Sequence, residues 1–263
     1  MLARFRRLPL NRRRPPRPFA PAPESVPAAA SSRPTRFESA SVRRRSGGIL
    51  AAIVAVLLLS TAGAAPARAE GNGFGIDVYF AAGYERQIDS RTCTSAGVAM
   101  MMNFIARRDL NLGQLYILRY EQPRDALANN VQRGSDPLGW ARAATYFSSR
   151  TGRPTVYAWE AFGSARSALK RAARQIALSG KPVGLLVSHG THAMVMTGFT
   201  ASDDPAKSES FTLYSIWVSD PNGSARRSYD ARATPLNTYT QTDATPWYDA
   251  QWYGRYIVIV PQG

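Results

Sequence analysis

The chain has 263 residues with one cysteine, two histidines and a formal charge of +15. That charge is local: residues 1–69 hold 13 of the 33 Lys and Arg and 2 of the 18 Asp and Glu, which leaves residues 70–263 at +4. Those later 194 residues have the composition of one ordinary globular domain, large enough for a core without disulfides, and carry no excess of charge that would mark a nucleic-acid binder.

Residues 1–48 are rich in Arg, Pro, Ala and Ser, as in MLARFRRLPLNRRRPPRPF. Low hydrophobicity, many prolines and one sign of charge cannot support a packed core, so this leader is expected to be disordered and solvated. Arg43, Arg44 and Arg45 then precede GGILAAIVAVLLLSTAGAAPARA, which ends in the small-x-small triplet Ala67-Arg68-Ala69. A basic flank, an apolar centre and that triplet are the parts of a secretory signal, so residues 49–69 are expected to be a signal peptide cleaved before Glu70, and the protein secreted. The strongly apolar part, Ile49–Leu59, is shorter than the roughly 20 residues that span a bilayer. The uncharged run continues beyond it, and an uncleaved membrane anchor at residues 49–69 is the alternative. The basic lead is long for an ordinary signal; translation from Val42 would give the normal start VRRRSGGIL.

Residues 70–263 are expected to be a single domain. Ile76–Phe80 alternates like a short strand before Gly83. From Cys93 onward, small and apolar residues recur at helical spacing, with Ala96, Met100 and Phe104 on one face and Val98, Met101, Met102 and Ile105 filling the rest. This pattern predicts a buried helix, with Ser90 or Thr92 as N-cap, Cys93 in its first turn and Arg107 and Arg108 at its C-terminal end. NLGQLYILRYEQP predicts a short helix opened by Asn111 and Gln114 and stopped by Pro123, with Leu112, Leu115, Tyr116 and Leu118 against the central helix. Ser135-Asp136-Pro137 begins another, with Leu138, Trp140, Ala141, Ala144 and Phe147 inward. PTVYAW reads as a strand. FGSARSALKRAARQIALSG reads as an amphipathic helix with Phe162, Ala165, Leu169, Ala172 and Ile176 inward, Gly180 as its stop, and Arg166, Lys170 and Arg174 as a solvated stripe.

The remainder is strand-rich: PVGLLVS, HAMVMTGF, FTLYSIWVSD and YGRYIVIVP. Helices first and strands later, with short connections, predict an α+β fold with a mainly antiparallel sheet. The aromatic segment from Tyr229 to Tyr253, with Tyr239, Trp247, Tyr248 and Trp252, is expected mostly to cover the sheet edge, with a peptide groove as the alternative.

A thiol at a helix N-terminus meets unpaired N–H groups and the positive end of the dipole. Next to a histidine its pKa can fall from about 8.5 to about 3.5–7.5. The two candidates are His189, in the turn SHGT, and His192, which opens HAMVMTGF. FTLYSIWVSD ends in Asp220, followed by the turn Pro221-Asn222-Gly223, and Gln87 lies six residues before Cys93. Thiol catalysis needs a nucleophile, a base, an acceptor that orients the base and an oxyanion donor. The plain alternative is that the lone cysteine is a small buried hydrophobe.

Gln87 with Cys93, GTHAMVMTGF and VSDPNG resemble papain-like cysteine peptidases of family thirty-nine type, the bacteriocin-processing-peptidase-like group, over roughly Val78 to Val260. The resemblance implies a papain-like fold, Cys93 as nucleophile, His192 as general base and acid, Asp220 as orienter and Gln87 as side-chain oxyanion donor. Asn222 is an alternative orienter, and Asp89 is expected to be a turn or capping residue. The implied activity is cleavage of peptide or related amide bonds, with a peptide or protein as partner and no cofactor, and the protein is expected to be a monomer. Transporter-fused members cut leader peptides after paired glycines; this sequence lacks the transporter's spans and nucleotide-binding signatures, so that substrate does not carry over. Transfer of the acyl group to an amine, and a catalytically inactive peptide-binding module, remain alternatives. A redox role lacks a CxxC partner, and one Cys with two His three apart makes no zinc site.

Overall fold

In a computed structural model of the protein, residues 73–127, 134–231 and 249–263 are described. The expectations for the leader, the signal segment, Tyr239, Trp247 and Tyr248 lie outside those residues. Among the described residues no helix is long and apolar enough to cross a membrane.

Strand β1 (Phe74–Asp77) is followed by helices α1 (Cys93–Ala106), α2 (Gln114–Glu121) and α3 (Pro137–Ser148). Then come β2 (Val156–Phe162), α4 (Ala165–Ser179), β3 (Val183–Val187), β4 (His192–Ala201), β5 (Leu213–Ser219), β6 (Arg227–Asp230) and β7 (Tyr256–Gln262). The strands form one sheet in the order β2-β7-β3-β4-β5-β6, with every pairing antiparallel. β4 is its hub: β3 pairs with His192–Met196, β1 with Gly198–Ala201 and β5 with Val195–Ala201. The α+β class and the mainly antiparallel, papain-like sheet are those expected from the sequence.

The central strands are apolar on both faces, and this sets the layering. Leu186, Ala193, Val195, Ile257 and Ile259 join α1 and α3 in one core. Val183, Leu185, Val187, Met194, Met196, Val258 and Val260 join α4 in the other. The sheet is therefore the middle of three layers, with the N-terminal helices on one face and α4 on the opposite one. Each fully buried Val, Leu, Ile or Met adds about 1.5–3 kcal/mol.

Helix α1 is buried along its whole length from Cys93 to Ile105, which is what a helix apolar all round requires. Arg107 ends it in a left-handed conformation (φ 54°), and its guanidinium donates to the carbonyls of Val78 and Tyr79. The arginine thus ties α1 to the segment after β1 instead of neutralising its own helix end. α3 starts as predicted, with the Asp136 carboxylate accepting from the N–H groups of Leu138 and Gly139 and Pro137 in the first turn.

Four expectations are corrected. β1 lies earlier than Ile76–Phe80, because Gly198 in β4 lets the Ile76 carbonyl pass where a Cβ would stand 2.3 Å away, and Asp77 then turns the chain by accepting from Tyr79 N–H. α2 begins at Gln114 behind Gly113, so Asn111 does not cap it, and its inward face is Gln114, Ile117, Leu118 and Glu121. Leu115 and Tyr116, expected inside, are 44% and 55% exposed. Trp252 is fully buried and packs edge-on against Trp159 at 5.7 Å, so it belongs to the core rather than to a sheet edge or groove. Two members of the α4 stripe reach a neighbouring loop, Lys170 donating to the Glu209 carbonyl and Arg174 pairing with the Glu209 carboxylate, while Arg166 is exposed as expected.

Candidate active site

Cys93 is the first residue of α1, nearly buried and free of disulfide bonds. The turn before it is closed by its own side chains: Asp89 N–H donates to Thr92 Oγ1, which donates back to the Asp89 carbonyl. Thr92 holds the N-cap position, yet its hydroxyl is used in that turn, so neither it nor Ser90 caps the helix. The dipole end at Cys93 therefore has no side-chain cap, which keeps it available to an anion. Asp89 is a turn residue, as expected. Hydrogen bonds from the Arg91 side chain and N–H hold its carboxyl below the usual range.

His192 and Asp220 meet because β4 and β5 pair in a fixed register. Val195 lies opposite Ser219, so the start of β4 and the end of β5 share one end of the sheet. There, His192 Nε2 lies 2.8 Å from Asp220 Oδ1. Burial disfavours a charged ring, but the hydrogen bonds to Asp220 and to Cys93, together with their charges, outweigh it and raise the His192 pKa to about 9. Burial likewise pushes the Asp220 carboxyl up. The hydrogen bonds from His192 and from Asn222 N–H, with the charges of His192 and Arg227, win and hold it below the usual range. Asn222 thus contributes its backbone N–H, 2.8 Å from Asp220 Oδ1, and the side chain on the ring is that of Asp220. His189 lies in the turn between β3 and β4, with left-handed backbone (φ 59°).

Gln87 reaches the site through backbone bonds. Its N–H donates to the Pro221 carbonyl at 2.8 Å, and the Tyr84 hydroxyl donates to the Asp220 carbonyl at 2.9 Å, so residues 84–87 are latched to the turn that carries Asp220. Gln87 Nε2 donates to the Asp89 carbonyl at 3.0 Å. An amide nitrogen has two hydrogens, so one remains for a further acceptor.

Gln114 is the site residue that sequence reasoning missed, having cast it as a helix opener. Its Oε1 accepts from Ile88 N–H and its Nε2 donates to the Arg86 carbonyl, so one buried amide brackets Gln87 on both sides. Its spacing of three and four residues from Ile117 and Leu118, which puts it on their face of the helix, is the signal that could have found it. Replacing Gln114 with leucine strands two backbone groups and is expected to cost about 1–3 kcal/mol, read from the urea midpoint of purified protein.

Among the described residues no cluster of three or more His, Cys, Asp or Glu side chains could hold a metal. The arrangement provides a helix-end thiol, an imidazole bonded through Nε2 to a carboxylate, and a tethered amide. No curated protein matches the chain. The sequence profile of the Peptidase C39-like family does match, over residues 81–246, which contain Gln87, Cys93, His192 and Asp220. Since that match covers well over half of the chain and the antiparallel α+β fold agrees with it, the protein belongs to the Peptidase C39-like family.

Proposed function

We propose that the protein is an exported cysteine peptidase that cleaves peptide or related amide bonds through an acyl-enzyme. The observation that carries this reading is the contact of His192 with both Asp220 and Cys93, which keeps the ring charged at neutral pH. Cys93 acts as thiolate and attacks the substrate carbonyl carbon. The Gln87 amide and the Cys93 backbone N–H receive the oxyanion, each such donor being worth about 2.7–4 kcal/mol in comparable sites. His192 then gives its proton to the leaving amine and, as a neutral base, takes one from the water that releases the acyl group. Asp220 fixes the ring so that the nitrogen facing Cys93 carries the working proton.

A thiol-directed activity probe tests the mechanism on the full chain. Labelling is expected to vanish in Cys93→Ala and to slow sharply in His192→Ala. Labelling that survives the first change, or ignores the second, overturns the proposal. Export rests on the sequence of residues 43–69 alone; mass spectrometry of the native protein is expected to find an N-terminus near Glu70, and intact intracellular chains carrying residues 1–69 would contradict it.

A further inference from the structure

The helix that carries Cys93 has a second polar attachment, which the acyl-transfer chemistry does not use. Glu121, the last residue of α2, is completely buried. Its Oε2 accepts from Ser95 Oγ at 2.7 Å and from Thr94 Oγ1 at 3.1 Å, and these are the two residues that follow Cys93 in α1. Its Oε1 is buried with no hydrogen-bond partner among the described residues. An ionised carboxylate left with one orphan oxygen in an apolar interior is costly, and a proton on that oxygen removes the buried charge while Oε2 keeps both hydroxyls.

We propose that Glu121 is a positioning residue for Cys93: through Ser95 and Thr94 it fixes the first turn of α1, and by gaining or losing its proton it sets the charge behind the thiol. The proposal rests on the peptidase reading of Cys93. The positive end of the α1 dipole favours a thiolate. A neutral Glu121 leaves that field intact, whereas an ionised one opposes it from inside the protein. Burial pushes the Glu121 pKa up to about 7, against the pull of the Ser95 and Thr94 hydroxyls, and the Asp136 charge adds to the rise. The groups that face it are Thr94 and Ser95 on α1, with Cys93 one place earlier, Asp136 at the start of α3, and Asp125 on the turn after α2. Asp125 and Asp136 are themselves raised by burial, and the charge of Asp136 raises Asp125 further, so the surroundings supply acids and favour the proton on Glu121.

The test is the pH dependence of Cys93 alkylation by iodoacetamide, which needs no knowledge of the substrate. The wild-type rate is expected to show an inflection near pH 7 where ionisation of Glu121 holds the thiolate back. Glu121→Gln keeps an acceptor for both hydroxyls and removes the titration, and it is expected to lose the inflection. Ser95→Ala withdraws a hydrogen bond from the charged form and is expected to move the inflection to higher pH, an effect that a merely structural role would not produce. Asp125→Asn is expected to retain it. Superimposed profiles of wild type and Glu121→Gln, or an inflection that stays in place in Ser95→Ala, overturn the proposal while leaving the peptidase reading standing. Alkylation equally fast in wild type and His192→Ala removes the peptidase reading, and this proposal with it.

Discussion

Replacing His192 with alanine is expected to lower kcat/KM for any cleaved peptide by about 10⁴-fold or more, because the ring both sustains the thiolate and protonates the leaving amine. Asp220→Ala is expected to cost less, about 10²–10⁴-fold, since the carboxylate acts only through the ring. The two variants also differ in pH dependence. In the wild type the ring loses its proton near pH 9, so activity is expected to decline as pH rises through that value. Removing Asp220 withdraws the first hydrogen bond and a charge that raise the ring, and the alkaline limb is expected to move down towards the ordinary histidine range. The same pKa sets the sign for stability. It is raised on folding, so the contribution of His192 is complete below about pH 6.5 and is lost as pH climbs through about 9. Steady-state rates between pH 6 and 10 decide the matter; an alkaline limb unmoved by Asp220→Ala would show that the carboxylate does not govern the ring.

The parts of this site that could be read from the sequence are those whose chemistry and position coincide. A single cysteine before a helical apolar run, a histidine opening a strand and an aspartate closing one are local signals, and the register of β4 and β5 brings the latter two to the same end of the sheet. The unread parts are those where a polar residue takes an apolar place. On α2 the inward positions are Gln114, Ile117, Leu118 and Glu121, and a hydrophobic count that assigns the polar two to solvent rotates the whole face, turning Leu115 and Tyr116 inward. The structure resolves this because each polar side chain finds partners too distant in sequence for a local pattern to register: Gln114 at Arg86 and Ile88, Glu121 at Thr94 and Ser95. The N-cap expectation failed for a related reason, since the Thr92 hydroxyl is claimed by Asp89. β6 escaped notice as well, because Arg227–Asp230 is mostly exposed and lacks an apolar period; it is a strand through its pairing with β5.

One side chain is wedged between α1 and the sheet, and its removal is expected to have the largest effect on stability. Trp140 of α3 is fully buried, with its indole between α1 and β3. It fits because both neighbours are glycine at the point of contact: a Cβ on Gly97 would lie 3.2 Å from its Cζ2, and one on Gly184 only 2.5 Å. Trp140→Ala is expected to cost about 3–5 kcal/mol, through lost burial and a cavity that backbone on both sides cannot collapse to fill. For a domain of this size that corresponds to a fall in Tm of about 6–20 °C. Gly184→Ala attacks the same contact from the other side, and overpacking there is expected to cost about 1–3 kcal/mol. The two positions share one space, so Trp140→Phe, which retracts the outer ring, is expected to recover part of the Gly184→Ala loss, and the pair should be non-additive. Thermal unfolding of the wild type and the four variants measures this. Strict additivity, or a loss below about 1 kcal/mol in Trp140→Ala, would mean that α1 is held over the sheet by the rest of its apolar surface and not by this wedge.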